Sequence, residues 1–183
     1  MSSTALRLRA ALLIGLWSLC WASMARANGP VGELDLKAAY VFNFIQFIEW
    51  PDNDPATATQ GDWTICVSPF SPLKRPLIAL EGKPARKGRP IRVKLLQIDD
   101  LRSCQVVVLH ATDVEQVLGA LRRLPPQNGI LTVAEEVTFA SPEIMITLAQ
   151  QDGRVVFGIR ADMAAKAGLS VSSRLLRLAK AGQ

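Results

Sequence analysis

The sequence predicts an α/β protein, a three-layer α/β/α sandwich around a mixed, centrally parallel sheet with a C-terminal antiparallel hairpin. Three observations carry this. Val106-Val107-Val108-Leu109 is an unbroken apolar run, the pattern of a central strand covered on both faces. Strand-length apolar segments alternate with helical patterns, the order that builds parallel pairs through crossovers. Near the end, Gln151-Asp152-Gly153 separates two apolar segments, and Asp-Gly there signals a tight antiparallel hairpin.

The chain opens with a three-part export pattern. Arg7 and Arg9 give a positive start, Leu12 to Trp21 an apolar run, and Ala25-Arg26-Ala27 the small residues of a cleavage site. The reading is a secretory signal, 1–27, cleaved after Ala27, followed by a single domain over 28–183 and a periplasmic location. A membrane anchor needs about 20 apolar residues, more than this run supplies. A lipoprotein through Cys20 lacks the small residue that precedes a lipidated cysteine.

In the mature chain, residues 34–49 read as a helix with apolar residues on nearly every side, and Pro51 stops it. Residues 52–62 are a polar loop. Trp63–Val67 is a strand. Residues 71–80 carry leucines at helical spacing, weakened by Pro72 and Pro76. Residues 81–90 form a basic turn-rich loop, and 91–96 alternates apolar and basic residues as an edge strand does. After the central strand, 113–124 is an amphipathic helix that Thr112 or Asp113 can cap. Residues 130–133 are a strand, 144–148 and 155–159 the hairpin, and 161–167 a short helix. Ser170 or Ser172 caps a last helix over 173–181.

Composition excludes several classes. The chain has 183 residues, a prior of about one domain, with 49% apolar and 20% charged residues, which is globular usage. The net charge of +5 includes Arg7, Arg9 and Arg26. Without those three of the 21 basic residues, against 16 acidic ones, it falls to about +2, so the charge does not imply nucleic acid. Only one histidine is present, His110, so no site needing two is possible. The chain has no nucleophile elbow, phosphate loop, dinucleotide fingerprint or metal-spaced cluster, and no catalytic residue, metal ligand or cofactor is expected.

The remaining candidates each have an ordinary alternative. Cys66 and Cys104 are the mature chain's two cysteines. In an exported protein they read as one disulfide, the alternative being two buried thiols. Parallel neighbouring strands would need some stagger to bring them within reach. His110 follows the central strand, where open α/β sheets place ligands, or is a loop histidine bonded to backbone. Asp99 and Asp100 are solvated turn residues. Lys83, Arg86, Lys87, Arg89, Arg92 and Lys94 make a positive edge that either meets an acidic partner or discourages edge pairing. Ser172, Ser173 and Arg174 open the last helix, as an anion site or a plain cap. The excess apolar surface of the first helix suggests a homodimer through Tyr40, Phe44 and Phe47.

Leu36-Lys37-Ala38-Ala39-Tyr40, Asn43-Phe44 and Glu49-Trp50-Pro51 resemble the opening of the YfiR-like periplasmic proteins. The likeness continues through Ile65-Cys66-Val67, Gly88-Arg89-Pro90-Ile91, Cys104-Gln105-Val106 and Leu131-Thr132-Val133. It ends in Ala167-Gly168-Leu169-Ser170 and Ser172-Ser173-Arg174-Leu175. The resemblance implies a regulator, not an enzyme: a repressor of an inner-membrane diguanylate cyclase, bound at the cyclase's periplasmic domain, lowering cyclic-di-GMP and biofilm formation. It further implies sequestration by an OmpA-like outer-membrane lipoprotein, a homodimer, and a disulfide matching Cys66 and Cys104. This chain departs from the pattern at Arg160, where members have Asn, and at Pro142-Glu143, where they have Gly-Gly; it also lacks the cysteines of a second disulfide. The runner-up function is a small-ligand sensor module, and a small hydrolase comes third.

Overall fold

Apolar side chains all round Glu33–Phe47 wind that stretch into helix α1, with Glu33 and Asp35 in its first turn facing the positive end of the helix dipole. The description rests on a computed structural model and covers residues 32–51, 61–135 and 141–179. Those residues lie in one unit, Gly32–Gln183. The leader, most of the 52–62 loop and residues 180–183 therefore lie outside the described residues, and the last helix, expected to run to 181, ends at Leu178.

Helix α1 stops two residues earlier than its periodicity predicts. Ile48–Glu49 is extended instead (β1) and pairs antiparallel with Ser170–Val171 (β8). Pro51 disfavours helical backbone at the residue before it, and pairing with β8 satisfies the freed groups.

The main sheet has six strands in the order β3-β2-β4-β5-β6-β7. They are β2 (Trp63–Val67), β3 (Ile91–Leu95), β4 (Val106–Leu109), β5 (Leu131–Glu135), β6 (Ile146–Gln151) and β7 (Arg154–Ile159). All neighbours are parallel except the β6–β7 hairpin. This is the mixed, centrally parallel sheet that the sequence predicts, with β4 in the interior and buried at every position.

Strand alternation sorts the side chains onto two faces. Ile65, Val67, Val106, Val108, Leu131 and Val133 meet α1, α2 (Lys74–Ile78), α4 (Ala161–Lys166) and α5 (Ser173–Leu178). Cys66, Val107, Leu109 and Ala134 meet α3 (Val114–Leu121) and a 3-10 turn, Ile98–Ser103. The ten-residue helix expected over 71–80 shrinks to the five residues of α2, because Pro76 lacks the N–H that a longer ladder needs. Ser172 supplies the last helix's cap, its hydroxyl accepting from the Leu175 N–H at 3.2 Å.

The 3-10 turn resolves the cysteine stagger. Cys66 stands opposite Val107 in the β2–β4 register, three residues past Cys104. The turn packs Leu101 against the second face and delivers Cys104 beneath Cys66, with Cα atoms 5.7 Å apart, and the two are disulfide-bonded.

Candidate functional site

The positive edge is largely occupied in holding its own fold. Arg86 donates to the carbonyls of Gln46 and Ile48 at 3.4 and 3.3 Å, closing the C-terminal end of α1, and reaches the Glu49 carboxylate at 3.4 Å. Arg89 donates to the carbonyls of Gly61 and Asp62 and lies 4.6 Å over the Trp63 ring. Burial lowers its pKa from the ordinary guanidinium value, with Asp62 acting the other way. Arg92 bonds Asp62 at 2.6 Å, and Lys94 bonds Asp100 at 3.4 Å. The backbone edge of β3 is closed as well: Ile91 N–H donates to the Lys83 carbonyl and Val93 N–H to the Glu81 carboxylate.

His110 sits where the sheet changes direction. The chain passes from β2 outward to β3 and then from β4 to the other side, so the carboxyl ends of β2 and β4 flank the switch point. There the His110 Nδ1 accepts from the Thr112 N–H at 3.2 Å, and the His110 N–H donates to Asp113 at 3.3 Å. These bonds fix the ring 6.3 Å from that of Phe70, which is 58% exposed. The arrangement is a loop histidine tied to backbone beside an exposed aromatic ring.

The three aromatic residues on α1 separate. Phe44 is fully buried in the chain's own core, so it cannot serve as a dimer contact. Tyr40 is half-buried, packed on Phe44 and, at 5.3 Å, on Phe157 of β7. Phe47 is half-buried under the Arg174 guanidinium, 5.4 Å from its ring. The second apolar side that suggested a partner is thus covered in part by β7 and α5. Leu34 and Leu36 on α1 and Leu176 and Leu178 on α5 remain exposed.

The residues that carried the resemblance prove to be structural. Lys37 is 3% exposed and pairs with Glu33 at 2.7 Å and Glu135 at 3.1 Å. Burial opposes its charge, but these two bonds outweigh it and raise its pKa. Trp50 packs edge-on to Trp63 at 5.0 Å, and its indole N–H donates to the Gly129 carbonyl at 2.7 Å. Gly168 takes φ +83°, left-handed backbone that a side chain resists, and packs against Gln127.

The two places where the resemblance implies other residues, Arg160 and Pro142-Glu143, meet in space. Arg160 donates to the Ser141 carbonyl at 2.8 Å. Glu143 is held by Arg122, whose Nε donates to it at 2.6 Å, and by the Ser141 hydroxyl. The Arg122 bond leads in pulling the Glu143 pKa down to about 2, against partial burial. Beside this pair lies a groove of about 350 Å³. Its walls come from the end of α3, the 124–130 connection, the start of the hairpin and α4. Sequence reading missed it, because four distant segments build it and no spacing rule joins them.

A protein-family model described as YfiR/HmsC-like matches residues 34–180 of the chain. No curated protein matches it.

Proposed function

The chain belongs to the YfiR/HmsC-like family of periplasmic, non-catalytic regulators of cyclic-di-GMP signalling, and on that premise we propose that it represses an inner-membrane diguanylate cyclase by occupying the cyclase's periplasmic domain. The observation that carries the proposal is the family match, which runs from the second residue of α1 past the end of α5. The site geometry supports it. Arg86, Arg89, Arg160 and His110 are engaged with backbone. Leu34 and Leu36 on α1 and Leu176 and Leu178 on α5 are exposed apolar side chains, suited to a protein contact.

Export with cleavage after Ala27, a single domain over 28–183, self-association through Tyr40 and Phe47, and relief by an OmpA-like outer-membrane lipoprotein belong to the same proposal. Ser173 and Arg174, at the exposed start of α5, and Arg160 are kept as partner contacts. Deleting the gene should raise intracellular cyclic-di-GMP, and the exported chain should restore it. His110→Ala should complement fully, since the proposal asks no bond-making step of it. No rise on deletion would overturn the repressor reading. Isolation from periplasmic extract should recover a membrane protein with a cytoplasmic cyclase domain.

A further inference from the structure

We propose that the groove beside Arg122 and Glu143 is a binding site for a small amphiphilic carboxylate, its apolar part lying on Leu121, Leu124, Ile130, Met145 and Met163 and its anionic end on Lys166. The groove's volume of about 350 Å³ falls at the small end of ligand sites. At roughly 30 Å³ per water it holds about a dozen water volumes, room for a ligand of about ten non-hydrogen atoms. The floor is apolar: Ile130 and Met145 are almost fully buried and Leu121 is nearly so.

The site is built rather than incidental. Gln127 N–H donates to the Lys166 carbonyl at 3.2 Å and Gly129 N–H to the Ala167 carbonyl at 2.9 Å, binding the connection to α4. Gly129 is held from behind by Trp50. The walls are therefore fixed before a ligand arrives, which lowers the ordering cost of binding.

Charge selects the ligand's sign. Arg122 is neutralised by Glu143, whose carboxylate stays ionised. Lys166 has no carboxylate partner among the described residues, and its ammonium contacts only the Met163 sulfur, at 3.6 Å. An apolar floor with one uncompensated cation at the rim favours an anion with an apolar body over a neutral or cationic one.

Methionine gives a direct readout. The chain has four, and Met1 and Met24 lie in the predicted leader, so methyl-labelled methionine in the exported protein reports on Met145 and Met163 alone. Titration with octanoate should shift both methyl signals with 1:1 saturation. Octanol, the neutral probe, should bind about tenfold more weakly. Lys166→Gln should remove that difference by weakening octanoate, and Lys166→Arg should restore it. Pro126→Trp, at an exposed wall position, should block both probes in protein that is folded by circular dichroism. Unmoved methyl signals, or octanol binding as tightly as octanoate irrespective of Lys166, would overturn the proposal. Either result leaves the repressor reading untouched, because that rests on cyclic-di-GMP after deletion.

Discussion

Among the described residues, the face of the sheet under α1, α2, α4 and α5 buries 27 core residues, and the face under α3 and the Ile98–Ser103 turn buries 14. The first carries the large rings, Phe44, Trp50, Trp63 and Phe157, and is held by area. The second is thin, and the Cys66–Cys104 bridge lies within it. Burial supplies about 25 cal/mol per Å² of apolar surface, so a shallow layer gains less and a cross-link that limits the unfolded chain matters more there. Residues of the family opening belong to the thick face: Ala38, Phe44 and Trp50 are all in its core. The departures at Pro142-Glu143 and Arg160 instead surround the start of the hairpin, next to the groove.

The largest effect should come from the thick face. Phe44→Ala should cost about 3–5 kcal/mol in chemical denaturation, the range for deleting a buried ring. A dimer contact alone would give a much smaller, concentration-dependent loss. Next comes the thin face's cross-link. The double variant Cys66→Ser, Cys104→Ser should lose about 3–4 kcal/mol, since the bridge closes 38 residues. Loss below about 1 kcal/mol would mean that α3 holds the thin face unaided.

Arg86→Glu sharpens the same comparison. Charge reversal tests a basic patch for partner binding only where the cation is free, and Arg86 is engaged with the end of α1. The variant should lose about 1–2 kcal/mol, the order of hydrogen bonds from a charged donor reduced for partial exposure. Trp17 and Trp21 lie in the predicted leader, so fluorescence of the exported chain reports Trp50 and Trp63, both on the thick face. That signal should shift with Arg86→Glu and stay nearly constant in the cysteine variant under native conditions.

The central strand, the hairpin and the disulfide pairing were legible because each rests on a local pattern or on counting cysteines. The two-residue β1–β8 ladder was not, since its partners lie more than 120 residues apart and neither is long enough to show a period. For α1 the periodicity named two apolar sides without saying which faces the sheet, and Phe44 went inward. The basic loop kept both of its readings open for a related reason. Arg86 meets carbonyls about 40 residues away, and no sequence pattern shows that a cation is already engaged. The groove was invisible for the same cause, its walls being joined only by the fold.

The smallest effect should come from the ion pair that fastens the thin face's helix. Arg122 lies just past the end of α3, and Glu143 leads into β6, so their bond ties the covering helix to the hairpin. Arg122 leads in holding the Glu143 carboxyl at about 2, below its ordinary 4.5, with Ser141 adding to it and burial opposing. A carboxylate depressed in the folded state binds fewer protons there than in the unfolded chain. Its contribution is complete above the unfolded value and fades as pH falls toward the folded one. Wild type should therefore exceed Glu143→Gln in stability by a constant margin above about pH 5. That margin should shrink between 4.5 and 2. Salt should reduce it, because the pair is partly exposed. Paired denaturation curves at pH 2, 3.5 and 6 measure it. A margin that stays the same at all three would show that the carboxylate is not held ionised by Arg122, and that α3 is fastened to the sheet by its apolar residues and the bridge beside them.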